Sequence, residues 1–431
     1  MKFNINSTTE QINSTAGIIL AGKIFKKIGL NNGKSHYETL RSMLGLLIQG
    51  RCSFEEINLY RKDNFFRDAL GLTYVPAQET LRLYLEKIVK SESDIEEQIK
   101  RFNKKILQNV KITPVETDIS EYIPVDIDVS PFDNSRSNKE GVSRTYKGYD
   151  GYAPIFSYIG LEGYLLDCEL REGKQHCQNE TPDFLRRNIE TINGLNLSQK
   201  ILFRMDGGND AVENRDILTK SGHFFLIKRN LRKEFPEQWL ERAKALGEKS
   251  CPREGKTVYT GFYTDTCPTN NETLRYLDIV FRVTERTTDK DGNPFLFPKI
   301  DVETYWTNLY ETPKKVIELY HAHGTSEQFH SELKTDMNVE RFPSGKMKVN
   351  SLILHLAMIA FNTLRWIGQL ALEKSDLLPY KHKVFRKRIR KVISDLICIG
   401  CKIITRSRRK IIYIWEKNPW LPVFKEIYQT L

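Results

Sequence analysis

Tyr122-Ile-Pro-Val-Asp-Ile-Asp-Val-Ser130 is the stretch whose reading decides the fold. Its residues alternate in strand fashion, and Asp126 and Asp128 share a parity, so both carboxylates point to one face. An acid inside an apolar strand is costly unless a partner or a metal compensates it. The pattern therefore marks either a solvent-facing sheet or a site. Strand-like runs follow at 152–159 and 164–170, separated by Gly160 and Gly163. A helix is expected over 182–192. A strand over 200–205 ends at Asp206, with Gly207-Gly208 behind it. A helix over 211–221 and a strand over 223–228 complete a series of interleaved strands and helices, the pattern of a mixed α/β core. Asp206 stands at a strand end, where ligand sites of such sheets collect; an acid that merely opens a turn gives the same pattern.

Upstream, residues 8–111 read as helical, with breaks at Asn31-Asn32-Gly33 and around Pro76. The segment 54–83, with two short helices about Tyr74-Val75-Pro76, fits a helix-turn-helix unit or a plain small helical unit equally well. Downstream, residues 230–312 read as an insertion. It has a short helix near 236–246, then strands at 257–263, 274–284 and 295–307, the last after the turn Asp289-Lys290-Asp291-Gly292. From Pro313 one helix is expected over 315–334, another over 349–372, and a basic helix to about 397. A last hairpin turns at Arg406-Ser407-Arg408-Arg409. The expected units are a helical N-terminal DNA-binding region (1–115), a core in two parts (116–229 and 313–372), the β-rich insertion (230–312) and a basic C-terminal region (373–431).

The chain has 431 residues, 40% hydrophobic and 28% charged, which fits a folded protein and no disordered or fibrous class. Its apolar runs are too short or too broken to suggest a membrane span. The start carries no charged-then-apolar leader pattern. Seven scattered cysteines form no disulfide framework, which favours a reducing cytosol, and Cys398-Ile-Gly-Cys401 lacks the second pair of a zinc site. No Gly-rich phosphate loop or nucleophile elbow is present. The net charge of +11 suits a polyanion such as nucleic acid. From Lys381 to Lys410 twelve cationic residues, among them Lys383, Arg386, Arg388, Arg408 and Arg409, stand against one acid, Asp395, which favours a phosphate-contacting surface over an ordinary solvated face of mixed sign.

Phosphoryl transfer on DNA needs hard metal ions held by carboxylates that converge from separate elements. A third acid lies in Tyr320-His-Ala-His-Gly-Thr-Ser-Glu-Gln-Phe-His-Ser-Glu-Leu-Lys334. On a helix Tyr320, His323, Glu327 and Lys334 form one stripe. A metal-and-phosphate surface would need such a stripe, and an ordinary solvated face would also show it. His321 and His330 read as residues on other faces, toward surface or DNA.

With these residues quoted, the chain resembles bacterial insertion-sequence transposases of the DDE class, those with a β-rich insertion, in the group related to piggyBac transposases. The helix signature of that class is Tyr, two residues, Arg, three residues, Glu, six residues, Lys. Tyr320, Glu327 and Lys334 match it, and His323 stands at the Arg position. Asp128 followed by Ser130 matches the first-strand pattern and selects Asp128 over Asp126. Arg204-Met205-Asp206-Gly207 matches the second. Gly151-Tyr152-Ala-Pro154, Leu170-Arg171-Glu-Gly173, Trp306-Thr307-Asn308-Leu309 and Asn362 also fit. The resemblance implies an RNase H-like core, a mixed five-stranded sheet with flanking helices interrupted by the β-rich insertion. It implies a catalytic triad of Asp128, Asp206 and Glu327 holding two Mg²⁺ ions, with Mn²⁺ as a substitute. The implied reaction cuts the ends of an element and joins their 3′-hydroxyls to target DNA. Tyr320, His323 and Lys334 would contact phosphates, and Trp306 and Trp239 would stack on a flipped end. Implied partners are double-stranded DNA (terminal inverted repeats and target) and a second copy in the DNA complex, in the bacterial cytoplasm at the nucleoid. The alternative is a transposase-derived DNA-binding protein that does not cut.

Overall fold

The computed structural model describes residues 3–31, 35–267, 275–380, 384–407 and 409–431. Asn32-Gly33, Lys381, Lys383 and Arg408 lie outside them. A short strand, β1 (Gln11–Asn13), precedes helices α1 (Ile18–Lys27), α2 (Ser35–Leu47), α3 (Asn64–Ala69), α4 (Gln78–Ser91) and α5 (Ile95–Leu107). Between α2 and α4 the chain forms a 3-10 turn, Phe54–Tyr60, and then α3. Asp63 caps α3 by accepting from the Phe65 and Phe66 amides at 2.8 and 3.2 Å. The two short helices expected about Pro76 are thus shifted upstream, and Pro76 itself precedes the long α4.

The core begins with β2 (Val115–Glu116) and β3 (Glu121–Val129). Small strands β4 (Phe132–Asp133), β5 (Ser143–Arg144) and β6 (Asp150–Tyr152) form a separate three-stranded sheet. Gly151 is required there, since a Cβ would lie 1.9 Å from the Phe132 carbonyl oxygen. Then come β7 (Ile155–Ile159), β8 (Tyr164–Glu169), α6 (Thr181–Asn193), β9 (Lys200–Met205), α7 (Val212–Lys220) and β10 (Phe224–Arg229). β3 pairs antiparallel with β7, and β7 with β8. On its other side β3 pairs parallel with β9, and β9 with β10. The alternation in β3 explains its two faces. Ile123, Val125, Ile127 and Val129 share a buried cluster with Phe184 and Leu185 of α6. Tyr122, of the opposite parity, belongs to the cluster that holds Val316, Ile317 and Leu319.

The expected insertion contains α8 (Pro236–Leu246), β11 (Glu248–Arg253), β12 (Lys256–Cys267), β13 (Arg275–Thr288) and β14 (Pro294–Thr307). Its strands do not form a sheet of their own. β14 pairs with β10, from Leu226↔Thr307 to Arg229↔Thr304, so the meander extends the core sheet. Among the described residues ten strands make one sheet, ordered β11-β12-β13-β14-β10-β9-β3-β7-β8 with β2 beside β3.

The helix expected over 315–334 is broken. It runs as α9 (Pro313–His321), a 3-10 turn Ala322–Thr325, α10 (Ser326–Ser331) and a π turn Glu332–Asp336. Gly324, a poor helix former, lies in the tight turn. Next comes α11 (Met347–Glu373), which is long and apolar enough to cross a bilayer by composition. It is instead a core helix, with 83% of its most apolar window buried inside the protein. Asn362 on α11 completes the edge strand β8, accepting from the Leu165 amide at 2.8 Å and donating to the Leu165 carbonyl at 2.7 Å. Satisfied in this way, the edge offers fewer free backbone groups for stray pairing.

The chain ends with α12 (Ile389–Val392), a π turn Ile393–Ile397, β15 (Cys401–Arg406), β16 (Arg409–Ile414) and α13 (Leu421–Thr430). β1 pairs with β15, and residues of α1, α2, α4, α5, α11, α12 and α13 share one buried cluster. The N- and C-terminal regions, expected as separate units, are therefore packed together around α11.

Candidate active site

Strand register brings the acids together. In the β3–β9 pair Asp126 faces Arg204 and Ile127 faces Met205, so Asp128 and Asp206 follow side by side at the strand ends. Neighbouring strands are about 4.8 Å apart. The nearby acids Asp126 and Asp210 have other fates. Asp126 is buried, and Arg204 donates to both of its oxygens from Nε and Nη2 at 2.6 and 2.7 Å. His323 Nδ1 lies 2.8 Å from the same carboxylate, and Arg204 Nη1 donates to the Leu319 carbonyl at 2.8 Å. Burial alone would raise Asp126, but Arg204 and His323 outweigh it and hold the carboxyl low. Asp210, next to Asp206 in sequence, accepts from Arg215 at 2.6 Å, Trp306 Nε1 at 3.1 Å and the Asn230 amide at 3.0 Å. Both acids are consumed by structure.

Asp128 and Asp206 are not. Asp128 keeps 23% of its side chain exposed; its Oδ1 accepts from the Val129 amide at 2.8 Å and its Oδ2 lies 3.2 Å from His330 Nε2. Asp206 accepts from Asn209 Nδ2 at 2.7 Å. Among the described residues neither acid has an ion pair with a lysine or arginine. Burial, and after it the charge of Asp128, pushes Asp206 above the usual carboxylate range. Burial would also raise Asp128, but the His330 hydrogen bond, the imidazoles and the Val129 amide outweigh it. Two neighbouring carboxylates with free lone pairs and a mutual repulsion are a donor set that fits a hard divalent cation. Gly208 keeps the approach open, since a Cβ there would stand 3.3 Å from Asp206 Oδ1 and 2.7 Å from Cys177 Sγ.

The broken helix lies over this pair. Glu327 is exposed on α10, one turn before His330 and four residues after His323, so it stands between two histidines that reach Asp128 and Asp126. The structure does not close it onto the aspartates: among the described residues no three His, Cys, Asp or Glu side chains form a metal-holding group. His323, expected at DNA, is buried and turned inward to Asp126, whose charge outweighs desolvation and raises its pKa. His330, expected on another face, is buried against Asp128, and desolvation lowers its pKa. His321 is on the surface, 3.7 Å from Glu303.

Tyr320 is half-buried against Tyr305 and His323, with ring centroids 4.6 and 5.8 Å away. Burial, and then Asp206 and Asp128, raise its hydroxyl. Lys334 donates to the Pro131 carbonyl at 2.7 Å and lies over the Phe132 ring; burial lowers it to about 8. Tyr146, which the sequence reading missed, also borders the pair. Its hydroxyl donates to the Val129 carbonyl at 3.2 Å and is raised by burial and then by Asp128 and Asp206. No spacing signal marks it, because it comes from the loop of the small sheet.

Several expected DNA contacts have internal partners. Arg388 donates to Asp336 at 2.8 and 3.1 Å, and Arg386 donates to Gln328 at 2.6 Å and lies 3.5 Å from Glu332. Arg409 is exposed. The two tryptophans expected to stack on an extruded base are buried. Trp306 lies between the guanidinium groups of Arg215 and Arg229 at 4.6 and 5.2 Å, and Trp239 donates to Glu234 at 2.7 Å.

Other motif residues frame the site. Arg171 is buried and bonds Glu169, the Cys177 carbonyl and Thr181. Thr307 and Asn308 lock the end of β14 to Phe225 at 3.0 and 2.8 Å.

Among curated proteins none matches the chain in sequence. Among solved structures, the cryo-EM structure of a piggyBac transposase synaptic complex with hairpin DNA is similar over 88% of this chain and 80% of that chain, at 11% identity and a TM-score of 0.42. The family described as Transposase DDE domain group 1 matches residues 2–431, almost the whole length, and the chain belongs to that family of DDE transposases.

Proposed function

We propose that this transposase cuts DNA at the terminal inverted repeats of its element and joins the freed 3′-hydroxyls to target DNA, with Asp128, Asp206 and Glu327 as its metal-holding acids. The observation that carries the reading is the pair Asp128 and Asp206, adjacent at the ends of parallel strands and, among the described residues, without a lysine or arginine partner, while Asp126 and Asp210 are each paired with an arginine. The strand order β8-β7-β3-β9-β10, antiparallel and then parallel, supports an RNase H-like core. Divalent ions bound there, two Mg²⁺ or Mn²⁺, would polarise the scissile phosphate and activate the attacking water or hydroxyl.

The chain's own residues do the rest. β3 and β9 hold two carboxylates rigidly on the sheet, and the Arg204–Asp126–His323 cluster fixes α9 and the following turn above them. Glu327 would supply a third carboxylate from the exposed side of α10. Lys334, Tyr320 and exposed cations such as Arg409 would bind phosphates; a second copy would hold the paired end, at the nucleoid of a bacterial cell.

The test uses a duplex carrying the element's end and Mg²⁺. Asp128→Asn, Asp206→Asn and Glu327→Gln should each bind the end but yield no cleaved strand. Full cleavage by any of them removes that residue from the site. Binding without cleavage by the parent chain would favour a DNA-binding protein that no longer cuts.

A further inference from the structure

His330 is the buried link between the Glu-bearing helix and Asp128, and its two ring nitrogens face different chemistry. Nε2 lies 3.2 Å from Asp128 Oδ2, and Nδ1 lies 3.1 Å from the hydroxyl of Tyr158 on β7. A carboxylate only accepts hydrogen bonds, so the hydrogen between His330 and Asp128 sits on Nε2. The Tyr158 hydroxyl, a donor as well as an acceptor, ties down Nδ1. Tyr158 is itself fixed. It is 1% exposed, and its ring packs against Phe329, His330 and Phe361 with centroids 5.0, 5.3 and 6.2 Å away.

The contrast with Asp126 gives this arrangement its meaning. Asp126 receives a guanidinium on both oxygens and has its charge compensated inside the protein. Asp128, two residues along the same strand, receives one Nε2–H and one backbone amide. Each oxygen is oriented by one donor and keeps a lone pair for another ligand.

We propose that His330, held in place by Tyr158 with its Nε2–H on Asp128, is a positioning residue that aims that carboxylate at a divalent cation. The proposal rests on the reading of Asp128 as a metal ligand. Partners of this kind commonly change metal affinity about 10- to 100-fold when removed.

Two measurements on the full chain test it. In the metal-free protein, ¹⁵N spectra of labelled histidine should show His330 with a protonated Nε2; a bare Nε2 overturns the proposal. Mn²⁺ binding followed by electron paramagnetic resonance should weaken about tenfold or more in His330→Ala. It should return to near the parent value in His330→Gln, whose side-chain amide restores a donor. Undiminished binding in His330→Ala beside tight binding by the parent overturns this proposal alone. A direct ¹⁴N coupling to bound Mn²⁺ from His330 would make it a ligand and also overturn it. If the parent binds no Mn²⁺, the metal-site reading falls and takes the proposal with it.

Discussion

Replacing Asp126 by asparagine should destabilise the fold while sparing the metal site, and the size of the loss follows from its partners. Asp126 is buried and takes two bonds from Arg204 and one from His323. Asparagine offers one acceptor oxygen, and its amide would point a donor at a group that also donates. Removing one partner of a buried ion pair costs about 3–5 kcal/mol, because the charge left behind has no counterion. The loss should sit toward the lower end, since Arg204 keeps its bond to the Leu319 carbonyl. Against a total stability of about 5–15 kcal/mol this is a large fraction. The assay is urea unfolding followed by circular dichroism, read as a shift in midpoint at constant slope. Asp128→Asn, which loses no cation partner, should shift stability by about 1 kcal/mol or less. The sign with pH is also fixed. The folded carboxyl of Asp126 is held low, so its contribution is present above the unfolded pKa of about 3.9 and is lost as pH falls through the folded value. Asp126→Asn should lack that part of the acid-side decline. A loss below about 1 kcal/mol in Asp126→Asn, or a larger loss in Asp128→Asn, refutes the division of labour between the two acids.

Asp206→Asn should leave the metal-free fold as stable or more so, because burial and Asp128 work against the ionised carboxyl, and thermal melts should lose the rise that Mg²⁺ gives the parent. Glu332 is buried between Arg365 at 2.9 Å, Arg386 and the Ile389 amide at 3.0 Å, so Glu332→Gln should cost about 3–5 kcal/mol and speed hydrogen exchange over residues 386–397. Burial holds Lys334 at about 8, so affinity for end DNA should fall as pH rises through that value. Lys334→Ala should bind more weakly and lose that step in a fluorescence titration; an unchanged step assigns it to another group.

The core strands were legible because alternation in β3 and the glycine-flanked end of β9 are local patterns. The choice between Asp126 and Asp128 came only from the family spacing that Asp128 and Ser130 match, because parity puts both on one face and Arg204, the partner that sets Asp126 apart, is 78 residues away. The sequence reading sets His330 on another face than Glu327, although three residues is nearly a full turn, and without the partner strand nothing shows that it meets Asp128. The basic run shows the same limit of a local reading. Counting charge along the chain leaves Arg386 and Arg388 unpaired, whereas folding brings them to Glu332 and Asp336. The insertion was readable as strands, but its fusion to the core depends on β14 finding the free edge of β10, which no local pattern encodes.

The central claim is that Asp128 and Asp206, rather than their arginine-paired neighbours, carry the metal-dependent cutting of DNA. It is tested most directly by comparing Mg²⁺-dependent cleavage of an end duplex by the parent, Asp128→Asn, Asp206→Asn and a folded fraction of Asp126→Asn. The account predicts cutting by the parent and by folded Asp126→Asn, and none by the other two. Cutting by Asp128→Asn at the parent's rate, or by the parent in the presence of excess chelator, would contradict it.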